Sequence, residues 1–279
     1  MGINMRTSIA FLLLFTLQAA AFAETGSIPQ DQVTRNIIAE GSCAIVGMSA
    51  EQAQLIALQR ARAVAIEQVG GVEVSTSTLV KDYKSIAYYI KAYTKGLIVR
   101  EKVEYPPAVQ YQKDSTTAPI FEYRVKIVAD VYIPQRKIKL IGLQADNNKG
   151  VYRNGEKMWV EVKTGRRAKI AIFNIMADDK VVMLFPNEYD RSNISIEKTP
   201  LVFPGKNSPI ELIVQNLPGH ERDVEALLVV ALDTEFAKDF EDLFARNKAL
   251  PFTDFFRKYA EIADYAENAI IAYEIIGGK

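Results

Sequence analysis

Residues 181–193 read Val181-Val182-Met183-Leu184-Phe185-Pro186-Asn187-Glu188-Tyr189-Asp190-Arg191-Ser192-Asn193, or VVMLFPNEYDRSN. Five apolar residues in a row are the signature of a strand buried on one face or both. Pro186 ends it, because proline has no N–H for a further ladder bond. Asn187 is the residue type that bonds back to its own backbone and shapes a corner. The loop beyond carries two carboxylates and a tyrosine with no histidine close in sequence. The stretch therefore reads as a strand meeting a sheet corner, and Glu188 and Tyr189 as loop residues placed to touch a partner.

Working outward, the second half of the chain repeats this grammar. Short apolar or alternating runs cover residues 157–162 around Trp159, 168–175, 180–185, 210–214 and 226–232. Turn formers separate them: Asp178-Asp179, Pro186-Asn187, Pro204-Gly205 and Pro218-Gly219. Short strands at such spacing predict an all-β sandwich of immunoglobulin-like type. Residues 234–247 and 253–262 have helical patterning, and 269–276 (AIIAYEII) reads as a last strand returning to the sheet.

The first half has a different period. Residues 34–46 have strand character, with Gly41 inside them. Ser49-Ala50-Glu51-Gln52 is a capping box, and an alanine-rich helix follows until Gly70-Gly71 stop it. Residues 72–80 alternate like a half-buried strand, 81–95 have helical spacing, and 96–105 and 121–133 are longer strands. The order β-α-β-α-β-β predicts helices on one face of an antiparallel sheet. The expected organisation is α+β: an N-terminal domain over residues 34–134, a linker over 135–150, and a sandwich with terminal helices over 151–279.

The chain begins with a basic residue, Arg6, a short apolar run, and Ala21-Phe22-Ala23. That is the form of a secretory signal peptide cut after Ala23, with 24–33 as a flexible leader. The apolar run is shorter than the roughly 20 residues of a spanning helix. The expected location is the periplasm, with no transmembrane segment in the mature chain. Cys43 is the single cysteine, so no internal disulfide forms, and its strand-like surroundings predict a buried, inert thiol. Lysine plus arginine equals aspartate plus glutamate at 34 each, which leaves no electrostatic footprint for nucleic acid.

Chemistry is sparse. His220, in a Pro-Gly-His-Glu turn, is the one histidine, and a hydrolytic triad would need it together with a nucleophile. The bland reading is a solvent-facing turn residue. One histidine and one distant cysteine do not make a zinc site. Asp146-Asn147-Asn148-Lys149-Gly150 lacks the later ligands of a calcium loop and reads as a turn. Asp178-Asp179 suit a hairpin turn on backbone grounds. Residues 164–169 (TGRRAK) read as a solvated basic turn. No catalytic, metal or cofactor residues are expected. Residues 81–95 interleave lysines, Lys91 among them, with tyrosines, of which Tyr88 and Tyr89 are the members a core-facing stripe explains least, and Tyr88, Tyr89 and Lys91 are the ones placed to bind a partner. They join Glu188 and Tyr189 as candidate partner-binding residues.

Certain marks resemble known families. Tyr152 with Gly155-Glu156, Phe173-Asn174-Ile175, Leu184-Phe185-Pro186-Asn187, and Leu217-Pro218-Gly219-His220-Glu221 before VEALLVVA resemble, in order and spacing, the bacterial domain of unknown function 4384. The Arg60-Ala61-Arg62-Ala63 helix, the Gly70-Gly71-Val72 stop and the strand from Tyr123 to Tyr132 are similar to the N-terminal domain of flagellar assembly protein T and of related outer-membrane lipoproteins. The lipoproteins' acylated cysteine has no counterpart, since Cys43 lies well beyond Ala23. The resemblances imply an exported, non-catalytic envelope module whose partners are envelope or outer-membrane proteins. The alternatives are a glycan or peptidoglycan-fragment binder and, third, a hydrolase.

Overall fold

The computed structural model describes residues 28, 30–71, 92–93, 95–112 and 116–277. The expected signal peptide, the strand at 72–80 and most of the helix at 81–95 lie outside them. The fold is α+β, and among the described residues it is built from four sheets and three α-helices.

The N-terminal sheet contains β1 (Val33–Ala44), β2 (Leu97–Glu104), β3 (Val109–Tyr111) and β4 (Ile120–Tyr132), all antiparallel, with β4 between β1 and β2. Helix α1 (Ala50–Gly70) crosses one face. Its start follows the sequence: the Ser49 hydroxyl accepts from the Gln52 N–H, and the Gln52 side chain accepts from the Ser49 N–H. Its end follows too, because Gly71 takes the left-handed conformation (φ 70°) that glycine adopts without penalty. The alternation of β1 puts Ala39, Gly41 and Cys43 under the helix. Burial pushes the Cys43 thiol up to about 11, as its strand setting predicts.

The second half opens with β5 (Gln144–Asn147), β6 (Val151–Arg153), β7 (Lys157–Met158) and β8 (Val160–Lys163). Next come β9 (Ala168–Ile175), β10 (Lys180–Phe185), β11 (Ile194–Ser195), β12 (Leu201–Phe203), β13 (Leu212–Ile213) and β14 (Arg222–Asp233). Helix α2 (Phe240–Leu243), β15 (Leu250–Pro251), α3 (Phe252–Tyr259) and β16 (Ala266–Ile276) finish the chain. The large sheet runs β15-β10-β9-β14-β16-β6, with β11 beside β9. Its last strand returns as expected, pairing with β14 from Arg222↔Ile276 to Leu232↔Ala266. The smaller sheets β12-β8-β5 and β13-β7 cover one face.

Both faces of the large sheet are buried, which explains why β14 is almost continuously apolar instead of alternating. Leu227, Val229 and Ala231 face the small sheets together with Val160, Val162 and Phe203. Leu228, Val230 and Leu232 face the helices. There Phe173 meets Phe244 and Phe255 at ring-centroid distances of 4.9 Å each, and Phe252 meets Tyr93 at 4.7 Å. Each buried ring contributes about 1.5–3 kcal/mol by transfer alone. The same apolar cluster continues through α1 into the N-terminal sheet, so α1 is buried all round.

Three expectations change. The helix expected over 234–247 is only α2. Asp239 caps it through the Phe240 N–H, and Phe244 is already extended, while the Phe236 and Lys238 carbonyls are taken by the Lys169 ammonium. The turn expected at Asp146–Gly150 begins as strand β5, because Asp146 and Asn147 pair with Glu161 and Val160. The basic turn at 164–169 is not simply solvated. Thr164 is buried against Ser195, and Arg166 pairs with Asp233 at 2.7 Å.

Candidate functional site

A cleft of about 920 Å³ opens where the two halves meet. One wall is the loop Gly47–Ser49 and the first turn of α1. The other is the turn Gly219–Arg222 with Ile276 and Gly277 at the end of β16. The turn is built locally. Pro218-Gly219 reverses the chain, with Gly219 at φ 80°. The His220 N–H donates to the Leu217 carbonyl, and the Leu217 N–H donates to Asp223 Oδ2 at 2.8 Å. Across the cleft, Gln52 Nε2 donates to the Arg222 carbonyl at 2.9 Å; within the second wall, the Gly277 N–H donates to the Glu221 carbonyl. Arg222 also pairs with Glu274 at 2.8 Å.

His220 is not the solvent-facing residue its turn suggested. Its side chain is 14% exposed, and Nδ1 lies 2.6 Å from Oδ1 of the buried Asp223. A carboxylate beside a turn histidine fixes the ring, which is why sequence reading of the turn alone missed it. A fixed histidine is half of a base-and-orienter pair. The other half of such chemistry is a nucleophile within hydrogen-bond reach. Ser49 lines the same cleft, but its hydroxyl accepts the capping N–H of Gln52. Cys43 is buried with a raised thiol, the wrong direction for a nucleophile. Among the described residues no three His, Cys, Asp or Glu side chains cluster in metal-binding geometry. The bonds of the cleft's polar groups fasten its own walls.

Of the residues singled out in sequence, Tyr88, Tyr89 and Lys91 lie outside the described residues. Glu188 and Tyr189 are exposed, Tyr189 at 58%. Neither lines the cleft. Their corner is built as its asparagine predicts. Asn187 is buried, its Nδ2 donates to the Leu184 carbonyl, and its Oδ1 accepts from the N–H groups of Tyr189 and Asp190 at 2.9 and 2.8 Å. Asn187→Ala removes all three bonds of a buried side chain that shapes the corner, so a loss of about 1–3 kcal/mol is expected in urea unfolding. A change below a few tenths of a kcal/mol would mean that the corner holds its shape without the side chain.

Asp178-Asp179 are indeed a hairpin turn, yet Asp179 also reaches the buried Arg62 at 2.5 Å. That contact spans the two halves of the chain and has no local sequence signal.

With this geometry, the marks read from the sequence acquire positions. Residues 151–228 match the family model described as a domain of unknown function (DUF4384). The match begins at β6 and ends within β14, short of the β16 strand that completes the sheet. No curated protein and no solved structure matches the chain. Inside the matched stretch, Tyr152 is buried and sits edge-on to Tyr273, with centroids 5.7 Å apart. Phe173 centres the aromatic cluster. Asn174 donates to Glu225 at 2.8 Å and accepts from the Tyr273 hydroxyl. Asn187 builds the corner, and Leu217–Glu221 forms the cleft wall. The marks read from the sequence are thus core, corner and cleft.

Proposed function

We propose that this protein is an exported, non-catalytic interaction module that works in the bacterial envelope and docks an envelope protein in the cleft between its halves. The cleft carries the proposal. Its walls come from both halves: Gln52 ties one wall to the other, while His220 and Arg222 are held within the second wall by Asp223 and Glu274. The signal-like start supports export with cleavage after Ala23, and the N-terminal resemblance to flagellar assembly protein T and to outer-membrane lipoproteins supports the envelope as the working place. No helix among the described residues is long and apolar enough to cross a membrane, so anchoring through partners fits the reading. Tyr88, Tyr89 and Lys91, and the corner pair Glu188 and Tyr189, are secondary contact candidates.

The test is in-cell photo-crosslinking from position Glu221, on the cleft wall, and from Tyr189, on the corner. The expected result is a discrete adduct with an envelope protein from Glu221, lost when Met48→Arg fills the facing wall. Absence of any adduct from Glu221 contradicts docking in the cleft. Hydrolysis by the purified protein that His220→Ala abolishes would replace docking with catalysis.

A further inference from the structure

The outer face of the small sheets carries one tryptophan, Trp159, between β7 and β8. The alternation Lys157-Met158-Trp159-Val160-Glu161-Val162-Lys163 buries Met158, Val160 and Val162 and turns the other four outward. Register supplies the neighbours. Ile213 lies opposite Lys157, and Glu211, just before that strand, reaches the Lys157 ammonium. On the other side Asp146 lies opposite Glu161, with Val202 on Glu161's far flank. The Trp159 backbone is pinned: its N–H donates to Asn148 Oδ1 at 2.9 Å and its carbonyl accepts from the Asn148 N–H. The residue is nevertheless 50% exposed. Its indole N–H has no hydrogen-bond partner among the described residues.

An exposed indole on a rigid sheet offers a flat apolar plate with one free donor. What surrounds it decides what can lie on it. Lys157 pairs with Glu211 at 2.5 Å and Lys163 with Glu161 at 2.5 Å, all four substantially exposed. With the exposed Asp146 opposite Glu161, the rim holds two lysines and three carboxylates and so has no net positive charge. A nucleic acid or an anionic lipid surface needs net positive charge, which this rim does not have. A protein interface core is depleted of charged residues, and covering this plate with protein would strip water from two ion pairs. A ligand with an apolar face and hydroxyls round its edge covers the ring and leaves the rim wet.

We propose that Trp159 is the stacking platform of a binding site for a neutral pyranose oligosaccharide, with Lys157, Glu161 and Glu211 as hydrogen-bonding rim. The platform is on the sheet face and is separate from the cleft between the halves, so either can fail without the other. Because Trp159 is the chain's single tryptophan, its fluorescence reports occupancy directly. The mature protein is titrated with chitohexaose and maltohexaose to about 5 mM, a range that captures the weak binding typical of one stacking plate. A saturable shift in tryptophan emission with at least one of them is expected. In affinity gels containing the corresponding polysaccharide, retardation should fall about tenfold or more in Trp159→Ala, with unfolding midpoint unchanged. Trp159→Phe should keep part of it. No emission shift with either sugar overturns the proposal, as does retardation that Trp159→Ala leaves intact. A shift produced only by a polyanion such as heparin overturns it as well, since a rim without net positive charge should not favour one.

Discussion

Arg62→Ala should cost about 3–5 kcal/mol, the range for removing one member of a buried ion pair and leaving the other in place. Arg62 is on the alanine-rich helix α1, and its side chain is 2% exposed. It bonds Glu101 of β2 through two N–H groups at 3.0 and 2.5 Å and Asp179 of the β9–β10 turn through two at 2.5 and 2.9 Å. The guanidinium also lies 4.1 Å from the Phe252 ring centroid of α3. One side chain thus ties three packed elements to its own helix. Glu101 is 8% exposed, and in the variant the Thr253 hydroxyl, at 2.7 Å, is the one side-chain partner left to it among the described residues. Urea unfolding followed by circular dichroism measures the loss, and a cost under about 1 kcal/mol would show that water or a neighbour replaces the guanidinium.

The same variant should change how stability depends on pH. Burial alone would raise the Glu101 carboxyl, but the Arg62 bonds and charge, helped by Thr253, outweigh it and hold it below the ordinary 4.5. A carboxyl depressed in the folded state contributes stability that is present above its unfolded value and lost as pH falls through the folded one. Without Arg62 burial prevails, the folded value rises, and the Glu101 contribution reverses: it is present at low pH and lost as pH climbs. Glu225 already behaves in that second way. Burial pushes it up despite bonds from Asn174, Tyr273 and the Ala177 N–H. The two partly offset in the parent protein, so the readable quantity is the difference between parent and variant. Arg62→Ala should be least costly in the acid range and most costly near neutrality.

Arg62 also shows where sequence reading stops. The helix was legible from its capping box, its alanines and its Gly70-Gly71 stop, all of which act within a few residues. An arginine on such a helix is ordinarily solvated, and nothing local says otherwise. Its partners are 39 and 117 positions away. The second-half strands were legible for the same reason as the helix: alternation, prolines and asparagine corners are short-range. The expected helix over 234–247 failed because its residues compete for tertiary bonds, with Lys169 holding two of their carbonyls. The candidate site divides in the same way. Glu188 and Tyr189 are exposed as loop residues should be. The His220–Asp223 pair had a short-range clue, a carboxylate three residues on, that the turn motif masked. Trp159 stood in plain alternation, but only the register of three strands shows which charges ring it.

Gly41→Ala is the other severe change, and it acts through close approach of backbones. Gly41 sits in the middle of β1 under α1. A Cβ there would lie 2.1 Å from the Ala57 carbonyl oxygen and 2.5 Å from the Ala61 nitrogen, both helix backbone atoms. No rotamer change relieves a clash between a methyl and a helix backbone. The helix must lift off the sheet, and it carries Arg62, one residue beyond Ala61, away from Glu101 and Asp179. Overpacking a core commonly costs about 1–3 kcal/mol, and a contact that moves a whole helix belongs at or above the top of that range. Gly70→Ala, at the end of the same helix with nothing within 4 Å of the added carbon, supplies the control. It should leave stability unchanged or raise it by up to about 1 kcal/mol, because glycine in a helix is entropically costly. If Gly41→Ala unfolds with the parent's midpoint, α1 does not press on β1 at that point, and the seam joining the two halves through Arg62 must be held from the Phe252–Phe255 side instead.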